Sequence, residues 1–486
     1  MMTSALALVA LLAPVAQDPP SPATVTWEDL AAVSATGDAI VARLGRLAVP
    51  TDHAKPDGPQ LELAFAVYPS TAAQPGAPIY FLVGGPGASA TEFALEFTTQ
   101  PLFDLRAYGD VIALDQRGTG RSRPSIADAP SFAFELPLDA PSTRASLAEA
   151  HAAAALACVR HWAAEGVDPS AFTTAQSAED LERVRRALGH DRIVLYGVSY
   201  GTHLGLEYLR RHGAHVERAL LSRVEGPDDT YKLPSNALAA LEAIHARVAA
   251  DPRFRATMPD FLGALRTLSA ALAEQPVRAS VPQRGGAPLE VVLGPHDLQL
   301  VVASTLGDSR GQAFLPALVE AATRGDFAAL GHFARGERGG EVSNAMGILM
   351  DCASGASAER RARSAREAVD PRFVVGPALD APYLLEVSRM LAGPDVGEAL
   401  RAPFVCRKPV LFVSGALDAR TPPANVAALG KRFPRSSHIV YTNTAHDTRE
   451  LEFADACAPL HTFLRGEPVA SGTIELPPLP LMAPRP

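Results

Sequence analysis

The stretch Arg192-Ile193-Val194-Leu195-Tyr196-Gly197-Val198-Ser199-Tyr200-Gly201 joins an apolar run of strand length to Thr202–Leu209, a segment of helical character. The pattern Gly-x-Ser-x-Gly is weak evidence alone, and its placement between a strand and a helix is what gives it meaning. Glycines on both sides of Ser199 permit a tight strand-to-helix turn without a Cβ clash, which lifts the hydroxyl above the carboxyl edge of a sheet. The helix that follows aims its free N–H groups and positive dipole end at any anion formed there. Ser199 is therefore the candidate nucleophile, and the amide of Tyr200 is a candidate oxyanion donor.

A serine hydroxyl is a weak nucleophile without a base beside it, and a base histidine needs an acid to fix its tautomer. Two later segments supply both. The strand candidate Pro409–Val413 leads into Ser414-Gly415-Ala416-Leu417-Asp418, and His438–Tyr441 leads into Thr442-Asn443-Thr444-Ala445-His446. Asp418 and His446 thus fall in loops after strands, at the edge where an open α/β sheet places its ligands. Of 13 histidines, only His446 has this position. A second oxyanion donor is expected after Ile79-Tyr80-Phe81-Leu82-Val83, where Gly84-Gly85-Pro86-Gly87 lets backbone approach a carbonyl; we assign it to Gly85. In the octapeptide Asp115–Ser122, the Asp and Arg117 are expected to fix their loop rather than to react.

Strand and helix signals alternate between residues 79 and 222. An α/β fold class with a mostly parallel, doubly wound sheet is therefore expected. An antiparallel pair at 46–50 and 61–68 precedes it. From about 225 to 405 helical periodicity dominates, and the strand signal returns at 409. The expected organisation is a leader and spacer at 1–22, a first core part at 40–224, a helical cap at 225–405 inserted after the sixth strand, a second core part at 406–466 and a Pro-rich tail at 467–486. The 486 residues exceed the ~250–300 that one core supports, and the inserted cap accounts for the excess.

Forty-four Lys and Arg against 53 Asp and Glu give a net charge of −9 without any basic block, which excludes a nucleic-acid binder held by phosphate contacts. At 47% hydrophobic and 20% charged, the chain can build a core. No segment approaches the ~20 apolar residues of a membrane-spanning helix, so no integral membrane segment is expected. Ala5–Val15 suits the apolar region of a signal peptide, so a secreted or periplasmic protein is expected, with a cytoplasmic one as the alternative. Cys158, Cys352, Cys406 and Cys457 lie far apart without C-x-x-C spacing, and no H-E-x-x-H occurs. No metal or cofactor is expected. In an exported protein the four cysteines could form two disulfides in any of three pairings, and in a cytosolic one they would be four buried free thiols; spacing alone does not choose.

The set formed by Val49-Pro50, Ala54–Gly58, Gly84–Gly87, Asp115–Ser122, Gly197–Thr202 and Ser414–Pro423 ahead of His446 resembles the proline iminopeptidase and tripeptidyl aminopeptidase family of α/β-hydrolases. The resemblance extends over most of residues 45–465. It implies an α/β-hydrolase fold and a serine exopeptidase with Ser199, Asp418 and His446 as its triad. It further implies a helical cap that restricts access and binds the free α-amino group of a peptide through carboxylates. Two departures stand out: relatives often have a cysteine where Leu44 precedes Gly45, and an acid after the cap cysteine where Cys352 is followed by Ala353-Ser354-Gly355. The carboxylates available for an amine are Glu225 and Asp228, after the strand 216–222, and Asp351. The expected activity is release of one to three residues from peptide N-termini. A carboxylesterase or lipase-like enzyme acting on small esters is the alternative, and an inactive binding protein a third reading.

Overall fold

Ile79–Leu82 and Val111–Leu114 are buried at every position, because successive side chains of each strand enter cores on opposite faces of one sheet. Tyr80, Leu82, Ile112 and Leu114 join a cluster with Phe65, Leu195 and Tyr208. Ile79, Phe81, Val111 and Ala113 join another with Val413, Tyr441 and Leu460. Truncating one of these central leucines to alanine would cost ~2–5 kcal/mol.

The computed structural model describes residues 24–33, 37, 39–96, 104–124, 132–342, 345–370, 387–391 and 395–483. The leader and spacer expected at 1–22 lie outside them. The strands are β1 (Thr26–Val33), β2 (Ala39–Pro50), β3 (Gln60–Tyr68), β4 (Ile79–Leu82), β5 (Val111–Leu114), β6 (Ala133–Glu135), β7 (Ile193–Val198), β8 (Val216–Ser222), β9 (Val277–Val281), β10 (Leu289–Leu293), β11 (Gly339–Glu341), β12 (Val410–Gly415), β13 (Ser436–Tyr441) and β14 (Gly472–Ile474). Ten of them form one sheet in the order β1-β2-β3-β5-β4-β7-β8-β12-β13-β14. The β1–β2, β2–β3 and β3–β5 ladders are antiparallel, and the remaining ladders are parallel. Strand β1, not anticipated from sequence, adds an edge strand, so seven strands of this sheet precede the insertion.

The chain moves outward from β4 to β5 and then returns to the other side of β4 as β7. Strand order reverses there, which opens a crevice beyond the carboxyl ends of β4 and β7. The loops after those two strands carry Gly84–Gly87 and Ser199.

Between β8 and β12 lie the helices Pro234–Ala250, Phe261–Glu274, Pro295–Thr305, Ser309–Thr323, Ala328–Glu337, Ala345–Ser354 and Ala358–Glu367, with shorter turns between them. Ile244, Phe261, Leu265, Leu298, Leu315 and Leu330 give the first five of these helices a core of their own. The expectation of a helical block is modified in two places. β9 and β10 form an antiparallel hairpin within it, and β11 pairs with β6 from the preceding segment. Met346, Leu349 and Met350, on the helix Ala345–Ser354, belong to the sheet's core. Part of the insertion therefore sits directly on the sheet domain.

The helix Thr174–Ala187 is capped at its start by the Thr173 hydroxyl, which accepts from the Gln176 amide. Among the described residues the C-terminal tail forms no helix, as its prolines require, but it does more than trail. β14 pairs in parallel with β13, Leu476 and Leu481 are buried, and the Met482 amide donates to the Ala313 carbonyl of the insertion at 2.9 Å. Among the described residues no helix is long and apolar enough to cross a membrane. All four cysteines are buried, and no disulfide links them.

Candidate active site

Ser199 follows β7 directly and has φ 55° and ψ −127°, a conformation that costs a non-glycine residue of order 1–3 kcal/mol. The turn is held on both sides. The Ser199 amide donates to the Ser222 carbonyl at the end of β8 (3.0 Å), and the Thr202 amide and hydroxyl donate back to the Ser199 carbonyl (2.8 and 2.6 Å). Gly201 makes this packing possible, since a Cβ there would lie 1.9 Å from the Leu82 carbonyl oxygen of β4. The helix Tyr200–His212 is thereby pressed against the neighbouring strand.

His446 Nε2 lies 3.0 Å from Ser199 Oγ. Its Nδ1 lies 2.9 Å from Asp418 Oδ2. A carboxylate only accepts, so Nδ1 carries the ring proton and Nε2 presents its lone pair to the serine hydroxyl. Asp418 is saturated with donors. Its Oδ1 accepts the Arg420 and Thr421 amides (both 2.8 Å), and its Oδ2 accepts the Thr421 hydroxyl (2.7 Å) in addition to His446. Burial alone would raise its pKa, but the His446 charge and hydrogen bond, the Thr421 amide and the Arg223 charge hold it well below the usual carboxylate range.

Arg223 immediately follows β8, has φ 59° and is wholly buried. Its guanidinium donates to the Asp447 carbonyl and to Glu450 Oε2 (2.7 Å). The backbone carbonyl of the residue after His446 thus rests on a buried cation. Nothing in the hydrophobic periodicity marked Arg223. Thr421 was visible in the Ser414–Pro423 stretch, where a threonine three residues after an aspartate can return its amide and hydroxyl to that carboxylate.

The loop after β4 borders the nucleophile. A Cβ on Gly84 would lie 2.9 Å from Ser199 Cβ, and Gly85 follows with φ 119°. The helix Ala345–Ser354 packs against this loop, with Gly347 so close that an added Cβ would lie 2.4 Å from the Pro86 carbonyl oxygen. The Tyr200 side chain is buried beneath, its hydroxyl 2.9 Å from Thr174 Oγ1 and donating to Met350 Sδ at 3.5 Å.

The three carboxylates expected to meet an amine fall in different settings. Glu225 is buried with Lys232 Nζ 2.5 Å away and the Thr230 hydroxyl at 3.2 Å. Asp228 accepts the Ser357 amide and hydroxyl at 2.7 and 2.6 Å, which fastens the start of the helix Ala358–Glu367. Both are taken up at the root of the insertion, and an ammonium group would have to displace those partners. Asp351 stands half-buried on the helix Ala345–Ser354, and its charge helps raise the pKa of Tyr200 after the effect of burial. Asp115 and Arg117 act on loops, as expected. Asp115 accepts from Ser89, Thr91 and the Arg121 amide, and Arg117 forms a bidentate pair with Asp180 at 2.7 Å to both oxygens.

Residues 77–452, more than three quarters of the sequence, match the family described by the alpha/beta hydrolase fold. The chain belongs to that family. The reversal of strand order, the strained serine turn and the insertion before β12 are this member's version of the fold. Over 216 residues it is 34% identical to a tripeptidyl aminopeptidase of Streptomyces coelicolor, covering 42% of this chain and 39% of the relative. It is 31% identical over 189 residues to a serine protease of Mycobacterium bovis (38% and 36% covered). It is also 33% identical over 159 residues to a probable proline iminopeptidase of S. coelicolor (32% and 36% covered). Each alignment spans less than half the relative's length. The peptidase resemblance drawn from the motifs is thus matched by relatives bearing those names.

Proposed function

We propose that this α/β-hydrolase is a serine aminopeptidase that acts through an acyl-enzyme on Ser199. The observation that carries the reading is the continuous relay Ser199–His446–Asp418, at 3.0 and 2.9 Å, set at the reversal of strand order beside a glycine loop.

In the acylation step Ser199 Oγ attacks the carbonyl carbon of the scissile peptide bond while His446 Nε2 takes its proton. Asp418 remains ionised and stabilises the imidazolium, a role suited to its depressed pKa. Negative charge builds on the carbonyl oxygen, and the amides of Gly85 and Tyr200 are the groups assigned to receive it, assisted by the N-terminus of the helix Tyr200–His212. His446 returns its proton to the leaving amine. A water then gives a proton to His446 as it attacks the acyl-enzyme, which releases the N-terminal product and restores Ser199. Every step uses side chains and backbone of this chain, and no cofactor enters.

The aminopeptidase assignment rests on the names of the relatives, together with an insertion that packs over the loop beside the nucleophile. Glu225, Asp228 and Asp351 are our candidates for the substrate ammonium, the last on the helix that touches that loop. The test is a comparison of aminoacyl and tripeptidyl arylamides with their N-acetylated forms and with short acyl esters. Preference for a free amine is expected. Faster turnover of blocked amides or simple esters would replace this reading with an esterase.

A further inference from the structure

The loops carrying Asp418 and His446 are gripped from outside the sheet. The first turn of the insertion helix Ser309–Thr323 reaches both. Ser309 donates its amide and hydroxyl to the Asp447 carboxylate at 3.1 and 2.7 Å. The Ala445 amide donates to Ser309 Oγ at 3.0 Å and to Asp447 Oδ1 at 3.1 Å. Three residues on, Gln312 Nε2 donates to the Leu417 carbonyl at 2.8 Å. One helix of the insertion therefore holds the residues on both sides of His446 and the residue before Asp418.

Asp447 also faces the other way. Its carbonyl accepts from the buried Arg223 guanidinium, which hangs from the end of β8 and pairs with Glu450. Besides the Thr444 hydroxyl and Ala445 amide of its own loop, the side chain of Asp447 is held by Ser309 of the insertion and its carbonyl by Arg223 of the sheet, with the His446 peptide next to the junction. Charge-assisted hydrogen bonds on both sides leave this peptide little freedom to rotate. The imidazole it carries must keep Nε2 on Ser199 and Nδ1 on Asp418 at once.

We infer that Asp447 is a positioning residue for His446 and that Ser309 is the contact through which the insertion reaches it. The inference rests on the proposed role of His446 as the base for Ser199. The insertion then does more than restrict entry, since its attachment at Ser309 sets the reach of the histidine. Misplacement of a catalytic group by about an ångström costs up to ~10²-fold in rate without loss of binding.

The experiment measures kcat, KM and the rate at which a fluorophosphonate labels Ser199 in the full chain, for wild type, S309A, S309T, Q312A and D447N, with thermal melting recorded for each. S309A and D447N are expected to lower kcat and the labelling rate together by ~10–10²-fold with KM held within about twofold. S309T, which keeps the hydroxyl, is expected to restore most of the rate, and Q312A to show a smaller loss of the same kind. Wild-type labelling with variants equally fast would overturn the positioning role alone. A rise in KM with kcat unchanged would overturn it as well. A folded wild-type chain that takes no label on Ser199 would overturn the serine reading, and this inference with it.

Discussion

His446 Nε2 stands 3.0 Å from Ser199 Oγ although 247 residues separate the two in sequence. The intervening insertion leaves and re-enters the sheet between β8 and β12, which are neighbours. The break in the chain therefore opens no gap between the base and its serine.

S199A removes the nucleophile and nothing that the fold needs. Turnover is expected to fall by ~10⁴–10⁶-fold, with a melting temperature close to wild type. Steady-state kinetics and a thermal melt on the same preparation check both halves.

D418N leaves the shape of the side chain but puts an amide where His446 Nδ1–H needs an acceptor, which favours the wrong tautomer. A loss of about 10⁴-fold in kcat is expected. T421V removes the Thr421 hydroxyl, which lies 2.7 Å from Asp418 Oδ2 and 3.2 Å from His446 Nδ1; its contact to the carboxylate is worth ~1–2 kcal/mol, and about tenfold in rate is expected. Parallel kcat measurements on the two variants rank them.

Two glycine substitutions separate fold from function. G201A drives a Cβ to within 1.9 Å of the Leu82 carbonyl, an overlap between two backbones that only a shift of helix or strand relieves. Loss of the cooperative fold is expected in a denaturant titration. G84A places a Cβ 2.9 Å from Ser199 Cβ and 3.4 Å from its Oγ. It also meets the Val198 carbonyl oxygen at 3.0 Å, so the serine turn must shift, and most of the activity should be lost with less damage to the fold than in G201A.

How far these features could be read in advance depended on whether the signal was local. The Ser199 turn, the Asp418 loop and the His446 loop each follow an apolar strand, so their order and edge of the sheet were legible. Strand β1 was not, because Thr26–Val33 is an exposed edge with almost no buried position and lacks a strand's apolar alternation. The β9–β10 hairpin alternates clearly, but it sits among long helices whose periodicity set the reading of the region. Arg223 and Asp447 escaped for a different reason. Their meaning comes from contacts across 224 residues of sequence, and an arginine or aspartate in a loop looks solvated until the fold is known. The same holds for Glu225 and Asp228, which chemistry offered as amine binders and which the fold engages with Lys232 and Ser357.

Acid should destabilise the protein in two stages. Burial lowers the pKa of His151 and His296 from 6.5 to about 4, so the unfolded chain binds these protons first. Their contribution is complete above pH 6.5 and is lost as pH falls toward 4. Asp418, held below its ordinary value of 3.8, adds stability above that value which fades as pH drops further. A flat melting temperature between pH 6.5 and about 8 and a decline from pH 6.5 downward are expected, with H296Q shallower than wild type between pH 6.5 and 4.

Removing residues 475–486 should loosen the junction between sheet and insertion. Leu476 and Leu481 lose their burial, and Arg247, Arg253 and Ala313 lose their hydrogen bonds to Leu479, Leu481 and Met482. Two buried leucines alone correspond to ~3–6 kcal/mol. A lower denaturation midpoint for the truncated chain checks it.

The most direct measurement is kcat/KM for one tripeptidyl arylamide with its N-terminus free and the same compound acetylated, each on wild type and S199A. We expect the free amine to be turned over at least about tenfold faster, since loss of a charged contact costs ~1.5–3 kcal/mol, with all activity lost in S199A. Equal or faster turnover of the acetylated compound, or activity that survives in S199A, would contradict a serine aminopeptidase.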